Sequence, residues 1–118
     1  MTRLITVAET LPFLRQAASL WGEAEHDAFV NYIAANPEAG DVIPDSGGIR
    51  KVRWSRPGTG KRGGVRVIYF YHDMEMPLLL LKAYAKNEQE DLSQVQLKKM
   101  QQFTKHMVEA HRRRRQML

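Results

Sequence analysis

Cysteine is absent from the 118 residues, so neither a disulfide nor a thiolate metal site can form. Long apolar runs are missing too. None approaches the roughly 20 apolar residues that a membrane-spanning helix needs, so no membrane partner is expected. The opening residues, "MTRLITVAETLPFL", lack a basic segment leading into an apolar core and lack a small-residue cleavage site. The expectation is therefore no secretory signal and a cytoplasmic location. Acidic side chains are missing from one long stretch. Seven basic residues stand between Arg50 and Arg66 inclusive (Arg50, Lys51, Arg53, Arg56, Lys61, Arg62 and Arg66), with no Asp or Glu among them.

That gap is part of a split in charge. Residues 1–48 hold seven acidic and two basic side chains, a balance of −5, and residues 49–118 hold sixteen basic and six acidic, a balance of +10. Clustered Lys and Arg are favoured by polyphosphate through counterion release, so nucleic acid is the first partner to consider. The alternative is a basic surface that only aids solubility. The length fits a single domain over residues 1–118 with one modest core, ending in a basic tail at about residues 111–118.

Periodicity divides the chain into seven elements. "RLITVAE" reads as a short opening strand, with Thr10 as the N-cap of a helix marked by Leu11, Leu14, Ala18 and Trp21. Gly22 interrupts it. A second helix, marked by Ala24, Ala28, Phe29, Tyr32 and Ile33, stops where Pro37 disfavours helix at Asn36. "PEAGDVIPDSGG" has the composition of an irregular surface loop. The period then changes to two: residues 49–54, 65–71 and 77–86 predict three strands in an antiparallel meander. Ser93 and Gln96 form a capping box for a last helix, whose face is marked by Leu97, Met100, Phe103, Thr104 and Met107. The order β-α-α-β-β-β-α makes an α+β fold with a small, mainly antiparallel sheet and a C-terminal helix.

Gly58, Gly60 and Gly63 spell the dinucleotide pattern G-x-G-x-x-G. In a dinucleotide site these glycines turn a strand into a helix whose N-terminal amides meet the pyrophosphate. Here "VRVIYFY" follows, a strand and not a helix. The phosphate-loop pattern G-x-x-x-x-G-K-[ST] fails as well, because Arg62 follows Lys61 and Ser55 stands where the first glycine belongs. No nucleotide cofactor is expected. What remains is a basic hairpin loop between two basic strands, with Trp54, Tyr69, Tyr71 and Tyr84 placed either to stack on single-stranded bases or to pack in the core.

The run "GDVIPDSGGIRKVRWSRPGTGKRGGVRVIYFY" followed by "LLLLKAYAKNEQEDL" resembles the RelE-like toxins of bacterial type II toxin–antitoxin systems, in particular the HigB branch. The motif-level likeness covers roughly residues 40–92, and the element order extends it over nearly the whole chain. The resemblance implies a metal-independent and cofactor-free endoribonuclease. Such a toxin enters the A site of the 70S ribosome, contacts mRNA and ribosomal RNA, and is neutralised by a helix-turn-helix, HigA-like antitoxin. It also implies that the RNA's 2′-hydroxyl attacks the adjacent phosphate, and that Arg66 occupies the position of the family arginine at the scissile phosphate. A non-catalytic RNA-binding or regulatory member of the same fold is the alternative.

Around Arg66, Lys51 and Arg53 share one face of the neighbouring strand, and Tyr84 and Lys86 share one face of the last strand. Arg50 points the other way. Lys86 or Lys51 is a candidate base if crowding by like charge lowers its pKa, Arg66 a candidate clamp for the developing charge, and Tyr84 a stacking or proton-moving group. Arg50, Arg56, Lys61, Arg62 and the terminal run Arg112, Arg113, Arg114 and Arg115 are candidate contacts to RNA or the ribosome, the last four on a frayed tail. Glu23, Glu25 and Asp27 read either as a solvated helix start or as part of the antitoxin interface. His26, His72, His106 and His111 show no metal-ligand spacing, so no metal site is expected.

Overall fold

The computed structural model describes residues 3–55, 64–86 and 92–117. The glycine-rich motif, with Arg56, Lys61 and Arg62, lies outside the described residues. The elements are β1 (Val7–Glu9), α1 (Leu11–Ala18), α2 (Glu23–Ala35), β2 (Asp41–Val42), β3 (Ile49–Trp54), β4 (Val65–Phe70), β5 (Leu78–Ala85) and α3 (Gln94–Met117). They form an α+β fold around a five-stranded sheet of order β1-β5-β4-β3-β2. β1 runs parallel to β5, and every other neighbouring pair is antiparallel.

Each sheet face buries its own apolar cluster. Val52, Val67, Tyr69, Leu78 and Leu80 meet Phe13 of α1 and Phe29 and Ile33 of α2 on one side. Ile49, Ile68, Phe70, Leu79 and Leu81 meet Leu97, Met100 and Met107 of α3 on the other. Both faces of β4 and β5 are thus covered, which is why these strands are apolar almost throughout. The expected caps form. Thr10 Oγ1 accepts the Phe13 amide at 3.4 Å, and Ser93 and Gln96 exchange the two bonds of a capping box at 3.0 and 3.1 Å.

Several expectations are corrected. The segment read as an irregular loop contains β2, whose two residues pair with Arg50 and Lys51. Its turn into β3 is closed by the buried Ser46, whose hydroxyl donates to the Ile43 carbonyl at 2.6 Å and accepts the Ile49 amide at 3.0 Å. Gly47 and Gly48 take φ of 72° and 99° there, the left-handed region that glycine enters without a Cβ clash. Trp21 lies beyond the end of α1. The "HRRRRQM" segment is the last part of α3 and not a frayed tail. Phe103 is 41 % exposed at the margin of the α3 face instead of inside it. Glu25 is not simply solvated, since it accepts the Trp54 indole N–H at 2.9 Å.

His26 ties α2 back to β1. Its Nδ1 accepts the Trp21 indole N–H at 3.0 Å, and since an indole only donates, the imidazole proton sits on Nε2 and is given to the Glu9 carboxylate. His26→Ala leaves the buried Trp21 N–H without its acceptor and is expected to cost about 1–3 kcal/mol, read from the urea midpoint. An unchanged midpoint would mean that this tie carries no stability.

Candidate active site

Strand register builds a row across three strands. Arg53 of β3 stands opposite Arg66 of β4, and Arg66 stands opposite Tyr84 of β5. Lys51 pairs with Ile68 one step along, which places it on the same face as Arg66 because alternate strand residues share a face. Lys86 follows the end of β5, where its amide donates to the Gly64 carbonyl at 3.3 Å. Arg66 is half-buried, and its buried Nη1 has no hydrogen-bond partner among the described residues. Like charges directly opposite one another weaken a sheet, and a buried guanidinium N–H without an acceptor adds to that cost. An oxyanion over the row would relieve both.

Of the two places open to the aromatic residues, a stacking surface or the core, the structure favours the core. Tyr69 is wholly buried in the core, and Trp54 packs half-buried against it, with ring centroids 5.5 and 5.2 Å from those of Phe29 and Tyr32. Tyr71 packs partly buried on the same cluster. Tyr84 keeps its place beside Arg66 but is only 5 % exposed, within the cluster that includes Leu97. Arg50 points to the opposite face from Lys51, as alternation predicts, and is occupied there. Its guanidinium donates to the carbonyls of Gly40 at 2.7 Å and Glu38 at 3.3 Å, so it braces a loop. Arg112 lines a cavity with Phe70 and His72, at the end of β4 remote from Arg66. The helix therefore carries Arg112, Arg113, Arg114 and Arg115 away from the row. Among the histidines, His72 lies 3.7 Å from the Asp73 carboxylate, His106 is exposed and His111 is half-buried.

A family model described as the RelE toxin of the RelE/RelB toxin–antitoxin system matches residues 26–118. The chain belongs to the RelE toxin family. It is accordingly the toxin of a toxin–antitoxin pair, and RNA cleavage is the general activity of RelE-family toxins. The fold is similar to that of a free-state double arginine-to-alanine mutant of E. coli toxin RelE, with a TM-score of 0.51 and 13 % identity, covering 74 % of this chain and 88 % of that one.

One residue of this RelE-family toxin escaped the sequence analysis. Lys82 is 9 % exposed and stands opposite Ile68 on the same face as Tyr84, with its ammonium 5.7 Å from the Tyr84 ring centroid. Burial pushes its pKa below the ordinary lysine value. The signal was a single cation inside an otherwise apolar strand, a place where lysine rarely occurs. Because the folded pKa is depressed, the unfolded chain binds more protons, and stability rises with pH between the folded and unfolded values. Lys82→Met is expected to raise the melting temperature at neutral pH. That gain should shrink as pH climbs toward the ordinary lysine range. A variant no more stable than wild type at pH 7 would show that the burial costs nothing.

Proposed function

We propose that this chain is a HigB-branch toxin: a cytoplasmic, ribosome-dependent mRNA endoribonuclease, neutralised by a HigA-like helix-turn-helix antitoxin. The observation that carries the reading is the row Arg53–Arg66–Tyr84 with Lys51 and Lys86 beside it. Arg66 holds an unsatisfied N–H in that row. The reaction asks for little else. The 2′-oxygen bonds to phosphorus, the bond from phosphorus to the 5′-oxygen breaks, one proton leaves the 2′-hydroxyl and one reaches the departing oxygen. Charge accumulates on the non-bridging phosphate oxygens, where the planar fork of Arg66 can meet two of them. Lys51 or Lys86 takes the proton, and Arg53 holds a flanking phosphate. No step calls for a metal or a cofactor.

The test is primer extension on translated mRNA after induction. New 5′ ends at codon-spaced positions are expected for wild type and are lost in Arg66→Ala. Their absence in wild type would favour a second reading, a non-catalytic RNA-binding member of the family. The burial of Tyr84 is the observation on that side.

A further inference from the structure

A cavity of about 350 Å³ opens between α1 and α3, beside β5; none of Arg53, Arg66 and Tyr84 is among its described lining residues, though Lys82 in its wall adjoins the Tyr84 ring. Its walls are largely apolar, with Pro12, Leu81, Met100 and Phe103 among them, while Lys82 and Lys99 bring two positive charges. None of its described lining residues is acidic. Lys82 is nine-tenths buried here, with the face of Tyr84 as its one favourable neighbour among the described residues.

The backbone is built to put it there. Ile68 pairs with Lys82 and Tyr69 pairs with Leu80, so Leu81 is an extra residue, a β-bulge. In a regular strand consecutive side chains point to opposite faces. The bulge turns both Leu81 and Lys82 toward α3, and both line the cavity. Gln16 of α1 supports this irregular stretch, its side-chain oxygen accepting the Ala83 amide at 2.9 Å. Thr10 does the same at the Leu80 carbonyl, to which its hydroxyl donates at 2.8 Å. An ammonium that is buried with no carboxylate beside it among the described residues is unfavourable, and a bulge that aims it into an apolar cavity selects for an anion carried on a hydrocarbon body.

We propose that this cavity binds a small amphipathic carboxylate, an aliphatic or aromatic acid whose carboxylate pairs with Lys82 and whose hydrocarbon body lies against Leu81, Met100 and Phe103. The volume lies at the lower end for small-molecule sites, which limits the ligand to a short chain or a single ring system. The site does not depend on the nuclease reading, and its test does not measure RNA cleavage.

Octanoate is the probe, with octylamine and octanol as controls of the same body, titrated calorimetrically into the full chain. Saturable binding of octanoate at one site is expected, together with protection of Lys82 from acetylation read by peptide mass spectrometry. Lys82→Met should weaken octanoate binding about tenfold or more, the loss expected for a hydrogen bond to a charged group. Octylamine or octanol binding as tightly as octanoate would overturn the proposal, as would unchanged binding to Lys82→Met or no saturable binding at all. Protection of Lys82 by a protein partner but not by octanoate would equally overturn it.

Discussion

Arg66→Ala is expected to lower the single-turnover rate of RNA cleavage by about 10²–10³, the usual loss when a donor aimed at developing negative charge is removed. The size follows from where the side chain sits. It is half-buried, fixed between Arg53 and Tyr84 by register on both sides, and its Nη1 has no other bond among the described residues to lose. Positioning is therefore already in place before RNA arrives, and the arginine has no competing partner at Nη1 among the described residues. Arg66→Lys is expected to recover little, because an ammonium cannot reproduce a two-pronged contact with phosphate oxygens. A fully active Arg66→Ala toxin would show that the row is not the site of chemistry.

Tyr69→Phe is expected to destabilise the fold by about 2–4 kcal/mol, lowering the melting temperature by on the order of 10 °C. Burial raises the Tyr69 pKa, so the phenol keeps its proton and can donate. It donates to the Pro37 carbonyl and accepts the Gly40 amide, both at 2.8 Å. Phenylalanine would fill the space and leave both backbone groups without this partner. Gly40 belongs to the same junction: a Cβ there would lie 2.8 Å from the Lys51 carbonyl oxygen and from a Tyr69 ring carbon. Gly40→Ala should therefore destabilise as well. Both variants loosen the segment that carries β2 against β3, and with it the strand that presents Lys51 and Arg53. Urea unfolding measures the effect, and a Tyr69→Phe midpoint equal to wild type would contradict it.

Much of this fold is written in local pattern. The change to a period of two at Ile49 marked β3, the β-branched and aromatic run at Val65 marked β4, and Ser93 with Gln96 marked the start of α3. Alternation alone separated Arg50 from Lys51. It also put Tyr84 and Lys86 on one face. Other features depend on pairing between distant segments. Two residues of β2 have no periodicity of their own and become a strand only against Arg50 and Lys51. The Leu81 bulge is invisible inside "LLLL", because four identical residues carry no phase for an extra one to disturb. Lys82 alternates with Tyr84 and Lys86, and only the packing of α3 over that face shows that it is buried. Trp54 and Tyr84 have the same propensities in a core as on a stacking surface, and only the packing of Phe29, Tyr32 and Leu97 decides between the two. The terminal arginines gave no cap or breaker that would stop α3 before them, and the helix runs through to Met117.

The measurement that tests the central claim most directly is cleavage of a defined mRNA by the purified toxin on programmed 70S ribosomes, with and without a single 2′-deoxy nucleotide at the mapped cut. One cut is expected within the ribosome-held codon, with none on the same RNA free in solution and none when the 2′-hydroxyl is removed. Equal cleavage of free and ribosome-bound RNA would contradict ribosome dependence. A cut that survives the 2′-deoxy substitution would contradict the chemistry assigned to the Arg66 row.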